Sequence, residues 1–234
     1  DEFYIRTSAQ TLQNSVRVIQ GFVKLTLEKF SMDISRSSTE ADCSRLSILP
    51  CFLRGFLENP LQVASFLPSS SYLQRKLSSL DCLQAAQVVI ELGPGTGETT
   101  RALLNELPQQ SILLCIEVVH EFVNQVQQIT DSRLMVEMDS ALNLREILTR
   151  YHFPSPEVIV SGVPFSVMSP EERHSLIKTI YNNLAPGGSF VTYQFRSSVC
   201  DLAVEYFGQP KHRSVVLWNL PPLEIIVWQK TAKP

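Results

Sequence analysis

The stretch Val88-Val89-Ile90-Glu91-Leu92-Gly93-Pro94-Gly95-Thr96-Gly97-Glu98-Thr99-Thr100 decides the fold of this chain. Its apolar residues 88–90 predict a buried strand, and a helical pattern begins near Thr99. The glycines between them predict a tight turn that needs positive φ and leaves room for the close approach of a ligand. Strand, glycine turn and helix N-terminus together predict a nucleotide-binding corner.

The spacing of the glycines narrows the kind of ligand. A dinucleotide-binding loop has the spacing G-x-G-x-x-G, but here the third glycine comes one residue early and Glu98 follows it. A P-loop ends in Gly-Lys-Ser/Thr, and this turn contains no lysine. Instead, Glu91 stands two residues before the first glycine. A carboxylate at that point suits a ligand that is cationic there rather than phosphorylated.

This pattern, E-x-G-x-G-x-G, resembles motif I of the class I S-adenosylmethionine (SAM) methyltransferases. SAM carries an amino acid and a sulfonium but no phosphate. The resemblance therefore implies that SAM is the cofactor and that S-adenosylhomocysteine is its product. The alternative is a glycine turn of an α/β protein that binds nothing.

Composition predicts one soluble domain with an extension. The 234 residues carry a net charge of −3, which gives no overall attraction to nucleic acid. The five cysteines lack CxxC spacing and the four histidines are dispersed, so we expect reduced thiols and no metal site. Neither an apolar run of about 18 residues nor a signal peptide is visible, which predicts a cytoplasmic protein without a transmembrane helix.

We divide the chain into three parts. Residues 1–45 predict an amphipathic helix and a polar linker, residues 46–86 a helical lid on the substrate side, and residues 87–234 the SAM-binding core. The helix has one apolar stripe, formed by Leu12, Val16, Ile19, Phe22, Val23, Leu27 and Phe30. Either it packs on the domain or on a partner subunit, or residues 10–30 lie peripherally on a membrane surface.

Beyond the glycine turn, strands and helices alternate. Further strands are predicted at 111–117, 133–139, 189–195, 215–218 and 223–228, and residues 157–165 are predicted as a strand that runs into a loop. Helices are predicted at 120–130, 142–151, 170–184 and 199–206, the third of them capped by Ser169. This alternation predicts a doubly wound α/β fold. Its sheet is mostly parallel and seven-stranded, as in the Rossmann-like class I methyltransferases, with an antiparallel pair at the end and an N-terminal helical extension.

Acidic residues end three of these strands. Glu117 follows Gly97 by 20 residues, the spacing of an acid that accepts hydrogen bonds from ribose hydroxyls. In the class I methyltransferases that the chain resembles, the motif I acid and glycines hold the methionine part of SAM. The acid after the second strand holds the ribose, and the acid after the third strand contacts the adenine amino group. The implied cofactor-binding residues are Glu91, Gly93, Pro94, Gly95, Thr96, Gly97, Glu117, Val118, Asp139, Ser140 and Ser161. Each acid has the alternative of being a solvated or helix-capping carboxylate.

The prediction about the substrate that accepts the methyl group rests on Ser161-Gly162-Val163-Pro164-Phe165. Enzymes that methylate base amines carry Asn or Asp before x-Pro-aromatic here; the polar side chain accepts from the amine and the ring stacks on the base. In this chain Ser161-Gly162 replaces that planar amide, which argues against RNA. Tyr72, Pro164 and Phe165 are the predicted substrate contacts. No catalytic base is assigned, although His120, Glu121, His174 and Tyr72 are candidates.

Two further segments extend the resemblance, Phe52-Leu53-Arg54-Gly55-Phe56-Leu57-Glu58-Asn59-Pro60 and 63–70. Together with the glycine turn and residues 161–165, they are similar to the bacterial phospholipid N-methyltransferases, over roughly residues 50 to 195. That family converts phosphatidylethanolamine stepwise to phosphatidylcholine, which implies an amphiphilic amine acceptor. The alternatives are a small-molecule methyltransferase, an rRNA adenine N6-methyltransferase and a non-catalytic SAM-binding subunit.

Overall fold

The computed structural model describes residues 75–77, 79–165, 168–194, 199–216 and 223–231. The predictions for the N-terminal helix at 10–30, the linker, Tyr72 and most of the 46–86 segment lie outside the described residues.

Within the described residues, seven strands form one sheet and five helices flank it. The strands are β1 (Val88–Leu92), β2 (Ile112–Glu117), β3 (Leu134–Met138), β4 (Val158–Ser161), β5 (Ser189–Gln194), β6 (His212–Val216) and β7 (Leu223–Gln229). The helices are α1 (Glu98–Glu106), α2 (His120–Gln127), α3 (Leu144–Arg150), α4 (Pro170–Asn183) and α5 (Cys200–Phe207). Short 3₁₀ turns occupy Asp81–Leu83 and Ala141–Asn143.

The order of strands across the sheet is β3-β2-β1-β4-β5-β7-β6. Neighbours from β3 to β5 are parallel, and β7 is antiparallel to both β5 and β6. The chain moves outward from β1 to β3 and then returns to β4, on the other side of β1. Ligands in open α/β sheets bind where the direction reverses, beyond the carboxyl ends of the strands. Leu92 of β1 pairs with both Ile116 and Ser161, so three strand ends meet there.

Both faces of the sheet are covered, which explains the nearly continuous apolar strands. Successive residues of β1 alternate between two core clusters. Val89 packs with Leu103 of α1 on one face, and Ile90 packs with Ile177 of α4 on the other. The predicted doubly wound, mostly parallel sheet is confirmed.

Three details differ from the sequence predictions. The strand predicted to run into a loop over 157–165 ends at Ser161, and Pro164 beyond it has no amide for the ladder. β6 begins at His212 rather than at Val215, because its first residues lie on the sheet's edge, where exposed polar side chains are tolerated and no apolar pattern marks them. In addition, Leu77 and Leu83 are fully buried in the same cluster as α1. Part of the segment predicted as a lid therefore packs under the sheet.

Candidate cofactor and acceptor site

The glycine turn connects β1 to α1 in the conformation that its sequence predicts. Gly93, Gly95 and Gly97 have φ of +69°, +57° and +88°, values that strain any residue with a Cβ. The Gly93 amide donates to the Ile116 carbonyl (2.9 Å), which ties the turn to β2. Gly97 is the N-cap of α1 and has no side-chain cap. The first turn of α1 thus keeps the positive end of its dipole at the site.

Glu91 is a fully buried carboxylate beneath this turn. Its Oε2 accepts hydrogen bonds from Thr100 Oγ1 (2.6 Å) and Cys115 Sγ (3.2 Å), whereas its Oε1 is buried without a partner. Burial raises the pKa of Glu91 to about 7; the bonds from Thr100 and Cys115 oppose the shift and nearby Glu117 adds to it. Burial also raises the pKa of the Cys115 thiol, which therefore stays protonated and donates.

Glu117, at the end of β2, is buried as well. Its Oε2 accepts from the Gly95 amide (3.2 Å), and its Oε1 accepts from the Val118 (2.8 Å) and Val119 (3.0 Å) amides. Burial raises the pKa of Glu117, while these three bonds lower it. The carboxylate joins the glycine turn to the loop after β2. No lysine or arginine in the described part of the chain forms an ion pair with Glu91 or Glu117.

Asp139 follows β3 and lies beside Glu117, since its amide donates to the Glu117 carbonyl (3.1 Å). Its Oδ1 accepts from the Ser140 amide and from Asn143 Nδ2, both at 2.7 Å. Ser140 in turn caps the following 3₁₀ turn. The cap of this turn is therefore Ser140 and not Asp139, and the contact of Asp139 with adenine stays a prediction.

The segment after β4 is held by its own polar groups. Ser161 is buried and its Oγ accepts from the Val163 amide (3.3 Å). The Gly162 amide donates to the Leu92 carbonyl (2.9 Å), so β4 and β1 remain joined beyond their ends. Gln194 Nε2, at the end of β5, donates to the Val163 carbonyl (3.2 Å).

One predicted substrate contact needs correction. Phe165 is fully buried within the core cluster of the α4 face, next to a buried Pro164. The x-Pro-aromatic pattern suggested an acceptor-facing ring, but the apolar ring gains more from packing in this core than from exposure. As the chain is arranged here, Phe165 supports the loop and does not line the site.

Three residues of the site were missed by the sequence reasoning. Thr100 and Cys115 hold the Glu91 carboxylate, and Tyr193 of β5 places its buried hydroxyl near Glu91 with a hydrogen bond to Thr99. Cys115 pairs with Glu91 in the β1–β2 register, a relation that could have been found by aligning the two strand ends.

None of the candidate bases that the structure describes is buried in this cluster, and Tyr72 lies outside the described residues. His120 and Glu121 are exposed on α2, and His174 is exposed on α4, where it contacts the Tyr206 hydroxyl (3.0 Å). Among the described residues, no group of three or more His, Cys, Asp or Glu side chains could hold a metal ion. No helix within those residues is long and apolar enough to span a membrane.

The arrangement suits a ligand that carries positive charge. Two buried carboxylates without a basic partner are costly unless a cation or further donors approach them. Glu91 Oε1 still lacks a donor, and the glycine turn leaves space for close approach. A sulfonium-bearing amino acid derivative satisfies both conditions, whereas a phosphate would meet two like charges.

Known proteins were compared with the chain. No protein-family model matches it. The ornithine lipid N-methyltransferase of Singulisphaera acidiphila is 28% identical over 142 residues, 59% of this chain and 73% of that protein. The ribosomal RNA small subunit methyltransferase A of Cupriavidus taiwanensis is 31% identical over 88 residues, 37% of this chain and 30% of that protein.

Among solved structures, the N-methyltransferase NodS from Bradyrhizobium japonicum WM9, in complex with S-adenosylhomocysteine, has a TM-score of 0.54 and 16% identity. The match covers 68% of this chain and 88% of NodS. The strand order, the glycine turn and the similar proteins all point to the same fold. The fold of this chain is that of the class I SAM-dependent methyltransferases, and both sequence relatives above are proteins named as methyltransferases.

Proposed function

We propose that this enzyme transfers a methyl group from SAM to the amine of an amphiphilic lipid whose headgroup resembles phosphatidylethanolamine. The observation that supports a lipid acceptor is the similarity to a protein named ornithine lipid N-methyltransferase. The match covers 73% of that protein's length. The segment after β4 supports an amine other than that of a nucleic-acid base, since Gly162 offers no amide side chain.

The residues at the strand ends would hold SAM. Gly93, Gly95 and Gly97 permit close approach, and the buried Glu91 and Glu117 match the positive charge of the ligand. We assign the ribose to Glu117, which would then exchange part of its bonding to backbone amides for hydroxyl donors. The remaining contacts that we propose are Pro94, Thr96, Val118, Asp139, Ser140 and Ser161.

When bound, SAM supplies the methyl: the acceptor nitrogen forms the new N–C bond as the C–S bond breaks, and S-adenosylhomocysteine leaves as a neutral thioether. The protein must align the nitrogen with the methyl carbon and keep water away. A primary amine is protonated at pH 7 and must first lose that proton to water or to a base. The loop from Ser161 to Val163, held by Leu92 and Gln194, fixes one wall for the acceptor.

A second candidate acceptor is an RNA adenine, favoured by the shorter match to the ribosomal RNA methyltransferase. Soluble small amines are a third. A non-catalytic subunit would bind SAM without transferring its methyl.

The test measures methyl transfer from radiolabelled SAM to phosphatidylethanolamine vesicles, to an adenosine-containing RNA oligonucleotide and to ethanolamine. We expect label in the vesicle lipid. Calorimetry with S-adenosylhomocysteine is run in parallel, and micromolar binding corresponds to about −8 kcal/mol. Label only in RNA or only in ethanolamine would replace the lipid acceptor. Binding without any transfer would favour the non-catalytic subunit.

A further inference from the structure

Gly162 and Tyr193 lie side by side at the site. Ser161, the last residue of β4, pairs with Thr192 of β5, and Gly162 and Tyr193 are the residues that follow them. A Cβ built on Gly162 would collide with the Tyr193 hydroxyl and lie 2.8 Å from both Tyr193 Cζ and the Gly93 carbonyl oxygen. The φ of Gly162 is outside the left-handed region, so glycine is required here for space.

Tyr193 cannot easily turn away from Gly162. Its ring is packed in the core cluster of the α1 face together with Val160 and Val191. Its hydroxyl forms a hydrogen bond with Thr99 in the first turn of α1. The side chain therefore reaches from β5 across the end of β4 to the start of α1, and the ring is held over Gly162 at both ends.

The polar groups of the adjoining loop are already engaged. Ser161 Oγ accepts from the Val163 amide, and the Val163 carbonyl accepts from Gln194 Nε2. Thus position 162 offers no side-chain amide, and the Val163 carbonyl is already bonded to the Gln194 amide.

We propose that Tyr193, through its contact with Gly162, determines the class of acceptor: an alkyl amine is admitted and a planar amine of an aromatic base is rejected. This inference rests on the proposed methyl transfer to an amine. The lone pair of a base amine is delocalised into its ring, so its methylation needs hydrogen-bond acceptors that make the nitrogen tetrahedral. The lone pair of an alkyl amine is already localised once the proton has left, and the amine needs no such acceptor. The Tyr193 ring occupies the space in which an acceptor side chain at 162 would stand.

The test compares transfer to phosphatidylethanolamine vesicles with transfer to an adenosine-containing RNA oligonucleotide, in the wild type and in the double variant Gly162→Asn/Tyr193→Leu. The introduced asparagine would supply the acceptor oxygen and Tyr193→Leu the space for it, so the RNA-to-lipid ratio should rise about tenfold or more. Gly162→Asn with Tyr181→Leu, a change on the opposite face of the sheet that leaves the Tyr193 ring in place, should not raise the ratio. An unchanged ratio in Gly162→Asn/Tyr193→Leu with normal S-adenosylhomocysteine binding would overturn the proposal.

Gly162→Ala gives an independent measurement if the double variant does not fold. Its methyl would meet the Tyr193 ring, so lipid methylation should fall by about tenfold or more while S-adenosylhomocysteine still binds. Unimpaired lipid methylation in Gly162→Ala would contradict the proposed contact. A wild-type enzyme that binds S-adenosylhomocysteine but methylates no amine would refute the proposed function itself, which is a distinguishable result.

Discussion

At the scale of one residue, substitution of Gly95 tests whether the glycine turn binds SAM. Gly95→Val forces a branched side chain into positive φ and into the space proposed for SAM. Gly187→Val is the matched control, because Gly187 also has positive φ (+78°) but no atom lies within 4 Å of its would-be Cβ. Both changes should cost roughly 1–2 kcal/mol of stability, measured by urea unfolding. Calorimetry should show lost SAM binding only for Gly95→Val, and retained binding would remove this turn from the site.

Glu91 should make the unliganded protein less stable as pH rises. The folded carboxyl holds its proton up to a pKa of about 7, above the ordinary value of 4.5. Below pH 4.5 both the folded and the unfolded carboxyl are protonated, and no difference arises. Between these values the unfolded state loses the proton first, so stability falls with pH and then levels off above 7. The total is about 3 kcal/mol, at about 1.4 kcal/mol per pKa unit.

Glu91→Gln removes this dependence. Relative to the wild type, we expect the variant to gain up to about 3 kcal/mol at pH 8 and little at pH 5, measured by urea unfolding at both pH values. Glu205→Gln, on an exposed position of α5, should change neither. An equal gain at both pH values would show that the difference in stability between the wild type and Glu91→Gln comes from packing and not from ionisation.

At the scale of elements, α4 is positioned by its first turn. Ser169 Oγ accepts from the Glu172 amide (3.2 Å) and Glu172 Oε2 accepts from the Ser169 amide (2.8 Å), a reciprocal capping box with Pro170 at the helix start. Ser169→Ala should reduce the free energy of unfolding by about 1 kcal/mol. Ser175→Ala, exposed on the same helix, should not reduce it. Equal effects would mean that the cap contributes nothing to stability.

Elements defined by strong local patterns were predictable. The parallel strands are apolar runs because both faces of the sheet are covered, and α4 begins at a Ser-Pro cap that the sequence displays. The start of edge strand β6 was not predicted. His212 and Arg213 are exposed there, so no apolar alternation in the sequence marks them as strand residues. Their contacts with SAM stay predictions, but Glu91 and Glu117 were singled out from their spacing in the sequence. Thr100 and Tyr193 were not, because they reach Glu91 from other elements through the fold.

At the scale of the whole molecule, the sheet supplies a cofactor site but few groups for an amphiphilic acceptor. We expect residues 1–45 to provide the membrane contact, since their predicted helix carries an apolar stripe and basic side chains. A chain lacking residues 1–45 should bind SAM normally and lose binding to anionic vesicles and lipid methylation. Sedimentation with vesicles and calorimetry measure the two properties separately.

A second set of variants tests whether the basic residues of the segment 10–30 contribute to vesicle binding. Neutralising Arg17, Lys24 and Lys29 to Gln should weaken vesicle binding by about 1 kcal/mol for each residue. Neutralising the exposed Arg101, Lys178 and Lys211 removes the same charge and should have a smaller effect. Undiminished vesicle binding after the deletion would leave the helix as a packing element and favour a water-soluble amine.

The position of β7 has a consequence for how the protein is made. β7 is the last strand along the described chain, yet it lies inside the sheet, between β5 and β6. While a ribosome is still translating this region, β5 has an open edge and Phe190 lacks the Trp228 ring that stacks on it at 5.5 Å. An open apolar edge recruits other chains. Chains that stop before Leu223 should therefore aggregate instead of giving a partly active enzyme.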